Sequence, residues 1–140
     1  MLHDLGKLVI SRFVSESLLT RLDQARDDGA HTPIEAELEV LDVEHAALGG
    51  RIAENWRLPA GIVKGIAYHH TPDESDALVC DAVHVANVVA KQVDRGEPDG
   101  ENDRELCVAS LQRLGMAEGT LARCCLAVRE RLELVLSAYP

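Results

Sequence analysis

Six histidines in an acidic chain of 140 residues are the side chains best suited to chemistry. The groups that could act together stand in three separate segments: His3 with Asp4, His45, and the pair His69 and His70. Imidazole nitrogens and a carboxylate are ligands that divalent metal ions take from proteins. A lone histidine is more often a hydrogen-bonded core or surface residue, so the hypothesis of a metal site depends on whether these segments meet.

Helical periodicity places these histidines at the ends of predicted helices. His45 opens a helix over 44–56, on the face that also carries Leu48, Ile52 and Trp56. His69 and His70 close a helix over 60–70, on the side of two isoleucines. Because both helices turn an apolar face inward, we expect the histidines on the inner side of a helical bundle.

The rest of the chain is predicted to be helical as well. Thr32 and Glu35 form an N-cap signature at the start of one short helix. The predicted helices cover seven ranges: 15–28, 32–41, 44–56, 60–70, 75–93, 103–114 and 117–138. No strand-like alternation occurs, so the predicted fold class is all-α, a bundle of about six to seven helices.

The C-terminal part of the chain is predicted to form a helical pair. The last helix carries a continuous apolar stripe: Leu121, Cys124, Val128, Leu132 and Val135. The stretch 95–103, rich in Gly, Pro, Asp and Glu, is the clearest surface loop. We therefore predict a single domain over 1–140, made of a motif-bearing core over 1–94 and a helical pair over 103–140.

The composition argues against several classes of partner. The formal net charge is −10, and 14 basic against 24 acidic residues cannot supply the broad positive face that nucleic acid or an anionic membrane requires. No apolar run approaches the roughly 20 residues that span a bilayer, and the N-terminus has no signal-peptide pattern. The four cysteines lack Cys-x-x-Cys spacing and are expected as reduced core residues. We therefore expect a cytoplasmic protein.

Four motifs occur in the order found in a known family. They are Leu2-His3-Asp4-Leu5-Gly6-Lys7-Leu8, a segment in which Glu37 precedes His45-Ala46-Ala47-Leu48-Gly49, then Trp56-Arg57-Leu58-Pro59, and His69-His70-Thr71-Pro72. Together they resemble the HDOD domain, a usually non-catalytic signalling relative of the HD metal-dependent phosphohydrolases. The resemblance covers about residues 1–90 and implies an HD-like helical bundle.

The resemblance also implies a set of metal ligands, functional or vestigial: His3, Asp4, His45, His69 and His70. The superfamily's first ligand is a His upstream of the His-Asp pair, and this sequence begins two residues before that pair. Asn87, one turn after His84, stands where catalytic relatives carry Asp, and a neutral amide does not act as a base. Thr71-Pro72 also departs from the Glu and Gly-Tyr-Pro of the HD-GYP cyclic-dinucleotide hydrolases.

Three functions are therefore weighed. The resemblance implies first a non-catalytic regulatory module that acts on a signalling protein partner and requires no cofactor. The second is a phosphohydrolase with two divalent ions (Mn, Fe, Zn, Mg or Ni), which would polarise a phosphoryl oxygen and activate a water while Lys7 steadies the phosphate. In that case the ions would be held by His3, Asp4, His45, His69 and His70. The third is a helical binding domain whose histidines are incidental.

A homodimer is expected from the position of the His-Asp motif. In relatives, upstream helices cover that side of the core, and here the apolar residues beside the motif would be left uncovered: Leu5, Leu8, Val9 and Ile10. Large contiguous apolar patches are rare on soluble monomers, so either the predicted C-terminal helix over 117–138 or a second copy of the chain should cover this side. Closed two-fold dimers are the commonest soluble homo-oligomers, which favours the second copy.

Overall fold

The computed structural model describes residues 2–27, 29, 31–96, 106–117 and 119–138. Within these ranges it is all-α, as predicted, with two 3₁₀ turns at Leu2–Asp4 and Pro72–Glu74. The α-helices are α1 Leu5–Phe13, α2 Glu16–Asp27, α3 Pro33–Leu41, α4 His45–Asn55, α5 Ala60–Ala67, α6 Leu78–Arg95, α7 Val108–Arg113 and α8 Thr120–Ala138. Every helix in the described ranges is too short or too polar to cross a lipid bilayer.

Two compact units divide the chain, Met1–His69 and His70–Pro140. The boundary falls between the two adjacent histidines and differs from the predicted division into 1–94 and 103–140. That division stays a prediction. All the contacts described below lie within one unit or the other.

Eight helices, rather than six to seven, form in the described part of the chain. The helix that the sequence did not predict is α1, which directly follows the His-Asp motif. The predicted helix over 60–70 ends early, at Ala67, and the His69 ring donates to the carbonyl of Ile66, which the end of the helix leaves without an intrahelical partner. The predicted helix over 103–114 begins partly outside the described residues, and its described part is α7.

In the first unit, α4 packs against both α1 and α5. The approach of α1 depends on glycine, because a Cβ at Gly6 would overlap the backbone carbonyl of His45, and Gly49 lies against the backbone nitrogen of Gly6. The predicted inner face of α4 is confirmed only in part: Leu48 and Ile52 are half-buried, and Leu48 packs against the core, but Trp56 is exposed. The fully buried residues of α4 are His45 and small residues, because only small side chains fit between such closely packed helices.

A second part of the same unit is formed by α2 and α3. Ile10, Leu22 and Ala36 make its buried core. The predicted capping box is confirmed, with the Glu35 amide donating to Thr32 Oγ1 and the Thr32 amide donating to Glu35 Oε2. The burial of Ile10 contradicts its predicted place on an uncovered surface, whereas other apolar residues of α1 are exposed, notably Leu8 and Phe13.

In the second unit, α6 packs against α7 and α8. Its apolar core contains Val85, Val89, Leu121 and Cys125. Buried Asp81 ties α6 to α7 by accepting from Ser110 Oγ at 2.6 Å and from two nitrogens of Arg113. Only the first part of the predicted α8 stripe is covered, and its later residues are exposed.

Candidate functional site

Three segments of the first unit bring the predicted histidines together. His3 and Asp4 lie in the 3₁₀ turn before α1, His45 is the first residue of α4, and His69 follows α5 by two residues. The ring centroids of His3 and His69 are 4.9 Å apart, and those of His45 and His69 are 5.4 Å apart. We call His3, Asp4, His45 and His69 the histidine–aspartate cluster. His70, the fifth predicted ligand, is the first residue of the second unit, and its role as a ligand stays a prediction.

The Asp4 carboxylate is the centre of the cluster. Its Oδ1 lies 2.9 Å from Lys7 Nζ, 3.3 Å from His45 Nε2 and 3.9 Å from His69 Nε2. Its Oδ2 lies 3.4 Å from His3 Nε2. The Lys7 ammonium is therefore a cation that the chain itself places on the carboxylate, one helical turn away.

Glu37, a buried residue of α3, holds the other side of His45. Its Oε2 accepts from both the backbone nitrogen and Nδ1 of His45, each at 2.7 Å. The other oxygen accepts from Arg26 Nη2 at 3.0 Å. Glu37 stands in one of the four sequence motifs without a predicted role, and no sequence pattern pointed to Arg26. With these two contacts the same oxygen of Glu37 caps the first turn of α4 and holds the His45 ring in position.

The two carboxylates remain ionised inside this environment. Burial opposes ionisation of Asp4, but hydrogen bonds with His3, His45 and Lys7 hold its pKa well below the ordinary range. Burial likewise acts on Glu37, and the hydrogen bonds from His45 nevertheless lower its pKa. For His45, burial favours the neutral ring, yet its bonds to Asp4 and Glu37 raise its pKa. The buried Glu37 and the half-buried Asp4 thus favour the charged form of the His45 ring between them.

His69 behaves in the opposite way. Burial lowers its pKa to about 4, helped by the nearby His3 and His45. Since a carbonyl only accepts, Nδ1 is the protonated nitrogen that donates to Ile66 O at 2.8 Å. In the neutral ring Nε2 is then an acceptor, and it faces Asp4 from beyond hydrogen-bond distance.

The cluster contains the types of ligand atom, imidazole nitrogen and carboxylate oxygen, that bind divalent metal ions. Nitrogens of His3 and His69 and an oxygen of Asp4 lie within 4.8 Å of one another. Two imidazoles and a carboxylate suit zinc, iron, nickel or manganese. A metal at Asp4 would have to share the carboxylate with Lys7 or displace it, and His45 could serve as a ligand only in its neutral form.

Comparison with known proteins agrees with the four ordered motifs. The profile of the HDOD domain family matches residues 1–72, just over half of the chain. The chain belongs to the HDOD domain family. An uncharacterized protein of Treponema pallidum (strain Nichols) is 30% identical over 112 residues, which cover 76% of this chain and 21% of that protein. The chain thus spans about a fifth of the length of this relative, and no solved structure matches it significantly.

The range matched by the family profile, residues 1–72, contains the whole histidine–aspartate cluster but neither His84 nor Asn87. His84 and Asn87 lie on α6, in the second unit. His84 is buried, and its Nε2 accepts from the backbone nitrogen of Cys107 at 2.9 Å. That bond gives His84 a structural role at the start of α7. The interpretation of Asn87 as a replaced metal ligand stays a prediction.

Proposed function

We propose that this HDOD chain is a non-catalytic regulatory module of a cytoplasmic signalling protein, which acts by binding another protein. In this proposal the histidine–aspartate cluster fixes the positions of helices and performs no chemistry. The observation that supports it best is the Lys7 ammonium on Asp4, 2.9 Å away, because the chain itself supplies the positive charge that a metal ion would bring.

The remaining charges of the cluster are compensated in the same way. His45 lies between Asp4 and Glu37, and Arg26 lies on the second oxygen of Glu37. Buried polar networks whose members are paired can define a unique arrangement of helices. This network joins the turn before α1 to α2, α3 and α4. By holding these elements in fixed positions, it can keep the surface that they present to a partner constant.

A metal-dependent phosphohydrolase is the second candidate, and one observation favours it. The acceptor nitrogen of His69 and a carboxylate oxygen of Asp4 face each other at 3.9 Å, and two acceptors are a natural place for a cation. In that case His3, Asp4 and His69 would hold the ion, which would polarise a phosphoryl oxygen, and Lys7 would turn to the phosphate.

Turnover measurements separate the two candidates. The full chain is incubated with Mn²⁺, Fe²⁺ or Zn²⁺ and with a phosphomonoester, a nucleotide and a cyclic dinucleotide. We expect no hydrolysis above a metal-only blank. Hydrolysis that disappears in Asp4→Asn but persists in Asp23→Asn, an exposed carboxylate of α2, would establish the phosphohydrolase instead.

The structural role of the cluster has its own test. His45→Ala leaves the buried Glu37 and the half-buried Asp4 without their shared donor, and loss of one partner of a buried pair costs about 3–5 kcal/mol. His31→Ala, which removes a partly exposed histidine paired with Glu39, is the matched control and is expected to cost below about 1 kcal/mol. Equal stability of both variants would favour the third interpretation, in which the histidines are incidental.

A further inference from the structure

The last helix, α8, carries an apolar stripe in heptad spacing. Leu121, Cys125, Val128, Leu132 and Val135 are separated by four, three, four and three residues. This alternation keeps apolar side chains along one seam and is the pattern of helices that pair lengthwise. The stripe therefore has the geometry of a helix–helix contact along its whole length.

Only the first part of the seam is used within the second unit. Leu121 and Cys125 are buried in the core formed with two valines of α6. Val128, Leu132 and Val135 are exposed at 42, 45 and 55%. The same seam that packs against α6 thus continues into solvent, where a second helix would extend a contact that the fold already makes.

The charges beside the exposed seam are all positive. Arg129 and Arg131 flank it on its two sides, whereas Glu130 and Glu133 lie away from it on the helix surface. Among the residues that the structure describes, neither arginine forms an ion pair with a carboxylate. Nη2 of Arg129 is buried and has no hydrogen-bond partner in that part of the chain. Arg131 is exposed and can meet a carboxylate of a partner directly, whereas Arg129 is half-buried beside the seam and would have to turn outward to do so.

We propose that the seam at Val128, Leu132 and Val135 is a docking surface for an amphipathic α-helix of another protein. That helix has apolar residues at its heptad a and d positions and carboxylates at the flanking e and g positions. The assignment rests on the proposed function and deepens it, since it names the surface and the chemistry of the regulatory partner.

A second copy of the chain fits this surface less well. Pairing α8 with itself would bring four arginines to the contact and no carboxylate beside the seam. Antiparallel pairing would place Arg131 opposite its counterpart. Charges at the flanking positions select coiled-coil partners, so arginines on both sides select an acidic helix.

Two synthetic helical peptides of about three heptads test the surface. Both have Leu at every a and d position, and they carry either Glu or Lys at every e and g position. Binding of the fluorescently labelled peptides to the full chain is followed by anisotropy. We expect the Glu peptide to bind about tenfold or more tightly than the Lys peptide, and its affinity to fall as salt is raised.

Two variants and a control locate the contact. Leu132→Ala weakens the Glu peptide about tenfold, whereas Leu134→Ala, on the other side of α8 and 70% exposed, leaves its affinity unchanged. The double variant Arg129→Glu, Arg131→Glu reverses the preference between the two peptides. Circular dichroism verifies that each variant retains its helices.

Several outcomes would overturn the assignment. These are absence of peptide binding, equal affinity for both peptides, equal effects of Leu132→Ala and Leu134→Ala, or a self-association of the chain that Leu132→Ala abolishes. The last result would make a second copy the occupant. Because peptide binding is independent of phosphate hydrolysis, failure here is distinguishable from failure of the non-catalytic proposal.

Discussion

Replacement of Glu37 by glutamine tests whether the buried carboxylate holds the first unit together. The carboxylate accepts from His45 on one oxygen, through both the backbone nitrogen and the ring, and from Arg26 on the other. Glutamine keeps the shape but offers one acceptor oxygen and one donor nitrogen. Whichever way the amide is turned, an N–H group faces another N–H group.

The size of the effect follows from what is lost. A hydrogen bond to a charged group contributes about 1.5–3 kcal/mol, and a buried donor left without an acceptor costs a further 1–3 kcal/mol or so. Arg26 is partly exposed and can turn to water, which reduces the loss on its side. We therefore expect Glu37→Gln to lower the free energy of unfolding by about 3 kcal/mol, a large share of a small domain's roughly 5–15 kcal/mol.

Urea unfolding followed by Trp56 fluorescence measures this loss. Trp56 is the chain's only tryptophan and ends α4, so it reports on the unit that contains Glu37. Glu39→Gln is the matched control on the same helix. Glu39 is exposed and pairs with His31 at 3.1 Å, so its loss should cost below about 1 kcal/mol.

The result that refutes this reasoning is a Glu37→Gln variant as stable as Glu39→Gln. The His45 pair and the capping of α4 by Glu37 would then contribute nothing net to stability. A loss in both variants of about 3 kcal/mol would instead show that α3 depends on its total charge.

Three further predictions concern packing, pH and assembly. Gly6→Ala should destabilise the first unit by about 3 kcal/mol or more in urea unfolding, since its Cβ would overlap the His45 carbonyl. The control Gly61→Ala, with open space around the added Cβ, should be neutral or slightly stabilising. Equal effects of the two variants would contradict the close packing of α1 and α4. Because the pKa of folded His69 is about 4, below the ordinary 6.5, its contribution to stability is fully present above pH 6.5 and is lost as the pH falls through 4. The free energy of unfolding of the wild type should therefore fall on acidification, and His69→Gln should make that fall smaller by about 3 kcal/mol. His45, whose pKa is raised, opposes this change in both proteins, so a wild type and His69→Gln with parallel pH profiles would show the assignment to be wrong. The exposed apolar side chains of α1, Leu8 and Phe13, favour a homodimer; sedimentation equilibrium at micromolar concentration should give about twice the 15.2 kDa chain mass, and the monomer mass would end that proposal.

Much of the candidate site was predictable from the sequence through order and periodicity. The four motifs indicated the family, and helical phase predicted the inward position of His45, which is buried. His69 is buried as well, but it lies beyond the end of α5, where helical phase no longer applies. The capping box at Thr32 and Glu35 fixed the start of α3 because a cap depends on residues only three positions apart. Fold class followed in the same way, since a helix is encoded by its own local pattern.

What the tertiary structure decided involves residues distant in the chain. Arg26 and Glu37, eleven positions apart, meet only when α2 packs against α3, and no local pattern distinguishes them from surface charges. The exposed side of Trp56 and the uncovered half of the α8 stripe likewise depend on where neighbouring helices end. Periodicity identifies which face of a helix is apolar, but burial requires a second element in the right place. The sequence by itself therefore determined the family and every helix except α1, whereas packing determined which charges were paired and which apolar seam remained open.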